Sequence, residues 1–198
     1  CGACVNECPV DIEHIDHIVN MRRFQVLVES NFPSELGGTF RNLEQTGNPW
    51  GANKNDREAW IAECDFPIRV VEGTLPDEVE YLFWVGCAGA YDERAKKTTK
   101  AVAELLYMAG VNFAVLGKKE TCTGDPARRA GNEFLYQILA AENIETFKEV
   151  FEGRTKGTKK VVVTCPHCFT TIGRDYAQSG FELEMLHHTQ LLNQLLRE

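Results

Sequence analysis

Eight cysteines in 198 residues, at positions 1, 4, 8, 64, 87, 122, 165 and 168, constrain this chain more than any other feature. An even count invites a disulfide framework of the kind that staples small secreted domains. The rest of the sequence points elsewhere. A chain of this length buries a core of its own. Its 43% hydrophobic and 25% charged residues are ordinary globular proportions, without the loop-dense character of such scaffolds. The cysteines are also clustered, which suggests metal or redox chemistry. A formal net charge of −8 argues against a nucleic-acid partner, which calls for a basic surface. No run of residues is apolar for long enough to span a membrane, and none reads as a signal peptide.

The pattern changes along the chain. Residues 1–30 open with CGACVNECP and continue with apolar residues at helical spacing, which predicts a helix over residues 11–28. Residues 31–79 are rich in Gly, Pro and Asn and read as a connecting segment. Short helices are expected there at residues 34–43 and 56–64, with irregular structure over 65–76. From residue 80 to 198 strands and helices alternate. Strands are predicted at 81–85, 111–116, 160–164 and 181–186. Helices are predicted at 92–109, closed by Gly110, at 127–151, at 166–178 and at 189–196, with Thr189 as the cap of the last. Such alternation predicts an α/β fold: a parallel sheet with helices on both faces. A small helical remnant and an extended linker precede it.

Ligands of open parallel sheets gather outside the carboxyl ends of the strands. Cys87 follows the first of these strands, Cys122 the second, and Cys165 and Cys168 the third. All four are therefore expected on one edge of the sheet. Four thiolates there suffice for an iron–sulfur cubane or for a structural zinc. Backbone N–H groups at the starts of the following helices would point at the sulfurs and stabilise negative charge. The Cys165-Pro166-His167-Cys168 run also fits a thiol–disulfide oxidoreductase. That fold, however, needs a later proline facing the motif, and none occurs after Pro166.

Cys1, Cys4 and Cys8 form CxxCxxxCP, the last three quarters of the bacterial ferredoxin run CxxCxxCxxxCP. In that run three thiolates hold one [4Fe–4S] cluster and the fourth serves a second. Cys1 and Cys4 would share one cluster and Cys8 would join another, with Pro9 starting the next helix. The missing ligands are expected upstream of Cys1. A zinc knuckle is the competing interpretation. Cys64 stands apart and is expected to be a buried free thiol. His187 and His188 fall on the cysteine edge, either as hydrogen-bonded residues of a helix start or beside a cluster. Arg128 and Arg129 open the helix after Cys122, where they would balance cluster charge or simply face solvent.

The segments CGACVNECP, GNPWG, FWVGCAGAYDER, ETCTGDPARRAGNEFLYQ, VVVTCPHCFTTI and LHHTQLL, spread over nearly the whole chain, carry a resemblance. Together they resemble the iron–sulfur proteins related to the D subunit of heterodisulfide reductase. That group also includes the iron–sulfur subunits of glycolate oxidase and anaerobic glycerol-3-phosphate dehydrogenase. The resemblance implies [4Fe–4S] clusters on Cys1, Cys4, Cys8, Cys87, Cys122, Cys165 and Cys168. It implies an oxidoreductase component that takes electrons from a flavoprotein such as electron-transfer flavoprotein. A quinone or membrane subunit would receive them at the cytoplasmic face of the membrane, the attachment lying outside this chain. The group usually reads CCG where this chain has Thr121-Cys122-Thr123-Gly124. The doubled cysteine belongs to non-cubane, disulfide-cleaving chemistry, so its replacement by Thr121 predicts a regular cubane. A zinc-stabilised interaction module and a disulfide-reducing subunit remain the alternatives.

Overall fold

The computed structural model describes residues 2–197; Cys1 lies outside them. Five strands form one parallel sheet in the order β1-β3-β2-β4-β5, with β1 Arg69–Val70, β2 Tyr81–Trp84, β3 Phe113–Val115, β4 Lys160–Val163 and β5 Glu184–His187. The central strands read YLFW and KVVV and, Lys160 apart, are apolar, because helices cover both faces. Alternate residues go to opposite sides. Leu82, Trp84, Val161 and Val163 pack with Leu139 and Phe147 of helix α7 (Glu133–Val150). Phe83 and Val162 pack with Val102 and Leu106 of helix α5 (Glu93–Met108) and with Trp60.

The chain leaves β2 through α5 on one face and leaves β4 toward Ile172 and Tyr176 on the other. Adjacent strands that diverge in this way open a crevice at their carboxyl ends. Register pairs Trp84 with Val163, so the two ends are level.

Local differences from the sequence expectations have physical causes. After the short helix α1, Ala3–Asn6, the first long helix, α2, runs Ile15–Leu27 and not from residue 11, because Asp11 adopts φ 52°, in the left-handed region, as the chain turns after Pro9. Residues 65–76, expected to be irregular, supply the edge strand β1, too short and too polar to register as a periodic run. Residues 34–43 extend to helix α3, Ser34–Thr46, and residues 54–63 form two 3-10 turns. Gly131, at φ 99°, divides the expected helix 127–151 into α6 (Asp125–Ala130) and α7. The last helix, α9 (His188–Leu195), is preceded by His187 as its cap rather than by Thr189, and the His187 backbone N–H donates to Gln190 at 2.9 Å.

Gly131 also decides how α2 sits. A Cβ there would lie 2.5 Å from the backbone of Arg22. Around this contact Arg22 donates to the Arg129 carbonyl at 2.8 Å and Arg23 pairs with Glu133 at 2.7 Å. Gly131→Ala is therefore expected to destabilise the protein by at least about 1–3 kcal/mol through backbone strain. Gly38→Ala, in α3 with nothing within 4 Å of the added atom, should instead stabilise it by up to about 1 kcal/mol. Denaturant unfolding of the two variants checks the opposite signs.

Candidate metal centre

The carboxyl edge of the sheet brings the four cysteines of residues 80–198 together. Cys87 lies in α4, Gly86–Tyr91, directly beyond β2. Cys122 lies in the loop between β3 and α6. Cys165 caps α8, Pro166–Thr170, and Cys168 is inside it. Cys87, Cys122 and Cys168 are buried, Cys165 is half-buried, and all four are free thiols. The thiols of Cys87 and Cys122 interact with one another, as do those of Cys165 and Cys168, and Cys168 feels the charge of Cys87.

Gly86 forms the wall between the pairs. Its φ of 74° is available to glycine at no steric cost, and a Cβ there would lie 3.3 Å from Cys168 Sγ. A single tetrahedral ion asks for sulfurs about 2.3 Å from one point. Among the described residues no three His, Cys, Asp or Glu side chains converge in that way. The thiols instead form two pairs, Cys87 with Cys122 and Cys165 with Cys168.

The pKa values of each pair are shifted apart in the same way. The Cys165 thiol is brought down to about 6, chiefly by the hydrogen bond from Cys168, with help from the backbone N–H groups of Cys168 and His167. Cys168 is pushed up by that same bond and by burial. Cys87 is lowered by the bond from Cys122 and then by Arg57, against burial, while Cys122 is raised. The Gly124 N–H faces the Cys122 sulfur. Helix-start N–H groups thus face sulfur at Cys165 and Cys122, as the sequence suggested, whereas Cys87 has a guanidinium.

That guanidinium is the main feature the sequence did not reveal. Arg57 comes from the 3-10 turn Lys54–Glu58 and is only 3% exposed. Its terminal nitrogens lie 3.7 and 3.8 Å from Cys87 Sγ, and one of them is 2.7 Å from Glu120. Glu120, buried to 1% exposure, accepts the N–H groups of Val85 at 3.0 Å and Gly86 at 2.6 Å. The GNPWG segment also reaches this edge. Buried Asn48 accepts the N–H groups of Trp50 and Ala52, and the turn presents the Gly47 carbonyl to the Cys122 N–H at 2.7 Å.

The remaining candidates lie as follows. Thr121 donates to Asn143 at 2.9 Å, and Asn143 in turn donates to the Cys122 carbonyl. Arg128 pairs with Asp175 and Arg129 with Asp125. His187 lies on the same edge, 3.0 Å from the Thr164 carbonyl and with its ring 4.3 Å from that of His188. Cys64 is remote from the other thiols, with Sγ 3.5 Å from the Trp60 carbonyl. At the amino terminus Cys4 is exposed, and its carbonyl meets His14 at 2.9 Å. The N–H groups of Ile12, Val10 and Asp11 face the Cys8 sulfur and lower its pKa, as a thiolate-binding loop would.

Residues 81–173 match the family described as a cysteine-rich domain, CCG. This stretch, which holds all four sheet-edge cysteines, is similar to that family. The whole chain is similar to the EtfAB:quinone oxidoreductase of Syntrophomonas wolfei, at 41% identity over 201 residues, covering 100% of this chain and 27% of that protein. It is 42% identical over 200 residues to the probable iron-sulfur-binding oxidoreductase FadF of Bacillus subtilis, covering 100% of this chain and 28% of that protein. It is 28% identical over 204 residues to the D subunit of the dihydromethanophenazine:CoB–CoM heterodisulfide reductase of Methanosarcina barkeri, covering 100% of this chain and 46% of that protein. The chain thus spans less than half the length of each. No solved structure matches it. The chain is related to the D subunit of heterodisulfide reductase and to the bacterial iron–sulfur oxidoreductases.

In metal-free protein, Cys165 should be the first sheet-edge thiol alkylated by iodoacetamide at pH 7. Its lowered pKa leaves it a thiolate there, and the rate should fall as pH drops through about 6. Cys64, raised by burial, should lag. Peptide mapping that finds Cys64 modified before Cys165 would contradict this assignment of charge.

Proposed function

We propose that this chain is the iron–sulfur part of an electron-transfer oxidoreductase, with Cys87, Cys122, Cys165 and Cys168 holding one [4Fe–4S] cluster at the sheet edge. The observation that carries it is the placement of four thiols, as two pairs, after three strand ends on one sheet edge, with a buried cation and sulfur-facing N–H groups beside them. The cluster, when bound, supplies one-electron redox chemistry. The chain's own residues hold the sulfurs, exclude water and offset negative charge. Cys1, Cys4 and Cys8 are proposed to serve ferredoxin-type clusters whose other ligands lie outside this chain.

The proposed route runs from a flavoprotein donor, through the clusters, to a quinone or a membrane subunit. Support comes from relatives named as an EtfAB:quinone oxidoreductase and as a probable membrane-anchored ferredoxin, the latter from Chromohalobacter salexigens. Among the described residues no helix is long and apolar enough to cross a membrane. Membrane attachment, at the cytoplasmic face, is proposed through a region or partner outside these residues, on the strength of the relative named as membrane-anchored.

Anaerobic reconstitution with iron and sulfide tests the cluster. About four iron atoms and four labile sulfides per sheet-edge site are expected, whereas colourless protein with stoichiometric zinc would replace this proposal with the zinc-stabilised module. Cys122→Ser should lower iron content and Tm together, because ligation and folding are coupled when ligands come from separate strands. Cys64→Ser should keep its iron and cost on the order of 1 kcal/mol.

Thr121 offers a second check. Its hydroxyl is engaged by Asn143, and four thiolates remain for the site. The reconstituted protein is expected to give an ordinary cubane signal in electron paramagnetic resonance. A non-cubane signal would favour a disulfide-reducing subunit instead.

A further inference from the structure

We propose that Arg57 is a positioning residue of the sheet-edge centre, holding Cys87 and setting the reduction potential through its fixed positive charge. The proposal rests on the cluster reading above and adds to it a residue from outside the family-matched stretch of residues 81–173.

The geometry separates Arg57 from an ordinary structural ion pair. Glu120 spends its carboxylate on three partners: the N–H groups of Val85 and Gly86 and one terminal nitrogen of Arg57. The other terminal nitrogen has the Cys87 sulfur as its partner, at 3.8 Å. The Arg57 Nε is buried with no partner at all, so the side chain is not placed to satisfy its own donors. It is placed to bring the fork against sulfur. The Tyr91 ring covers the guanidinium carbon at 5.6 Å, and the whole side chain is 3% exposed. A charge so enclosed is weakly screened and acts strongly on its neighbours.

One-electron reduction, with dithionite as the donor, adds one negative charge to the centre with no bond made or broken. A fixed cation beside one ligand sulfur stabilises that added charge and raises the potential. A fixed anion nearby does the reverse. Arg57 and Glu120 therefore act in opposite directions, although they form one ion pair. A merely structural pair would change loading and stability in both variants and leave the potential of the loaded protein unmoved.

The test is a dithionite titration of the reconstituted chain, followed by visible absorbance and electron paramagnetic resonance, on wild type, Arg57→Gln, Arg57→Lys and Glu120→Gln. Iron content and circular dichroism are measured alongside. Arg57→Gln is expected to lower the reduced-to-oxidised ratio at fixed potential by at least tenfold, about 59 mV for one electron. Arg57→Lys, which keeps the charge, should stay within about threefold of wild type. Glu120→Gln should shift upward. If Arg57→Gln fails to take up iron, the upward shift of Glu120→Gln decides in favour, and no shift decides against. A loaded Arg57→Gln protein with the wild-type potential overturns the proposal. So does a Lys variant that falls as far as Gln, or loss of iron from all three variants with the fold retained. Failure of the wild-type chain to take up iron would instead overturn the cluster reading itself.

Discussion

The Glu120 carboxylate joins the parts of the molecule that have to meet. It sits beyond β3, accepts the N–H groups that end β2 and begin α4, and pairs with Arg57 from a segment more than sixty residues earlier. Removing one partner of such a buried pair costs roughly 3–5 kcal/mol, because the other charge is left uncompensated. Cys87 is the residue after Gly86, and Cys122 is two residues after Glu120. The carboxylate therefore fixes the spacing between two of the four sulfurs and the cation that faces one of them. The φ of 74° at Gly86 turns the chain into α4, with its N–H aimed at Glu120 and no side chain projecting at Cys168.

Gathering four thiols in a buried pocket is an electrostatic problem. Like charges in contact cannot all be carried in low dielectric, so within each pair one thiol is lowered and its partner raised: Cys87 and Cys165 go down, Cys122 and Cys168 up. The chain supplies the compensation locally, with N–H groups at Cys165 and Cys122 and a guanidinium at Cys87. This matters more in a molecule whose formal net charge is −8, where the long-range field offers no help.

The same logic of close backbone approach ties the amino-terminal residues to the sheet. Helix α2 rests on α6 through Gly131, and α6 begins three residues beyond Cys122. The stretch that carries Cys4 and Cys8 leads into α2, with the Cys4 carbonyl 2.9 Å from the His14 ring.

Much of this was legible in one dimension. Alternating apolar strands and amphipathic helices specified a parallel sheet, since both faces of YLFW and of the VVV of KVVV are apolar. In a parallel sheet the residues after each strand share an edge, so the placement of Cys87, Cys122, Cys165 and Cys168 on one edge followed from topology and needed no contact information. Strand β1 was hidden because two residues, one of them exposed Arg69, make no periodic signal. The cap at His187 was hidden because helix boundaries depend on where the preceding strand stops. Arg57 could not be found by pattern. In sequence it is one charged residue in the polar run KNDRE, and charged residues are normally solvated. Only the tertiary structure, by closing residues 31–79 over the sheet edge, removes it from water and makes its interaction with Cys87 and Glu120 strong.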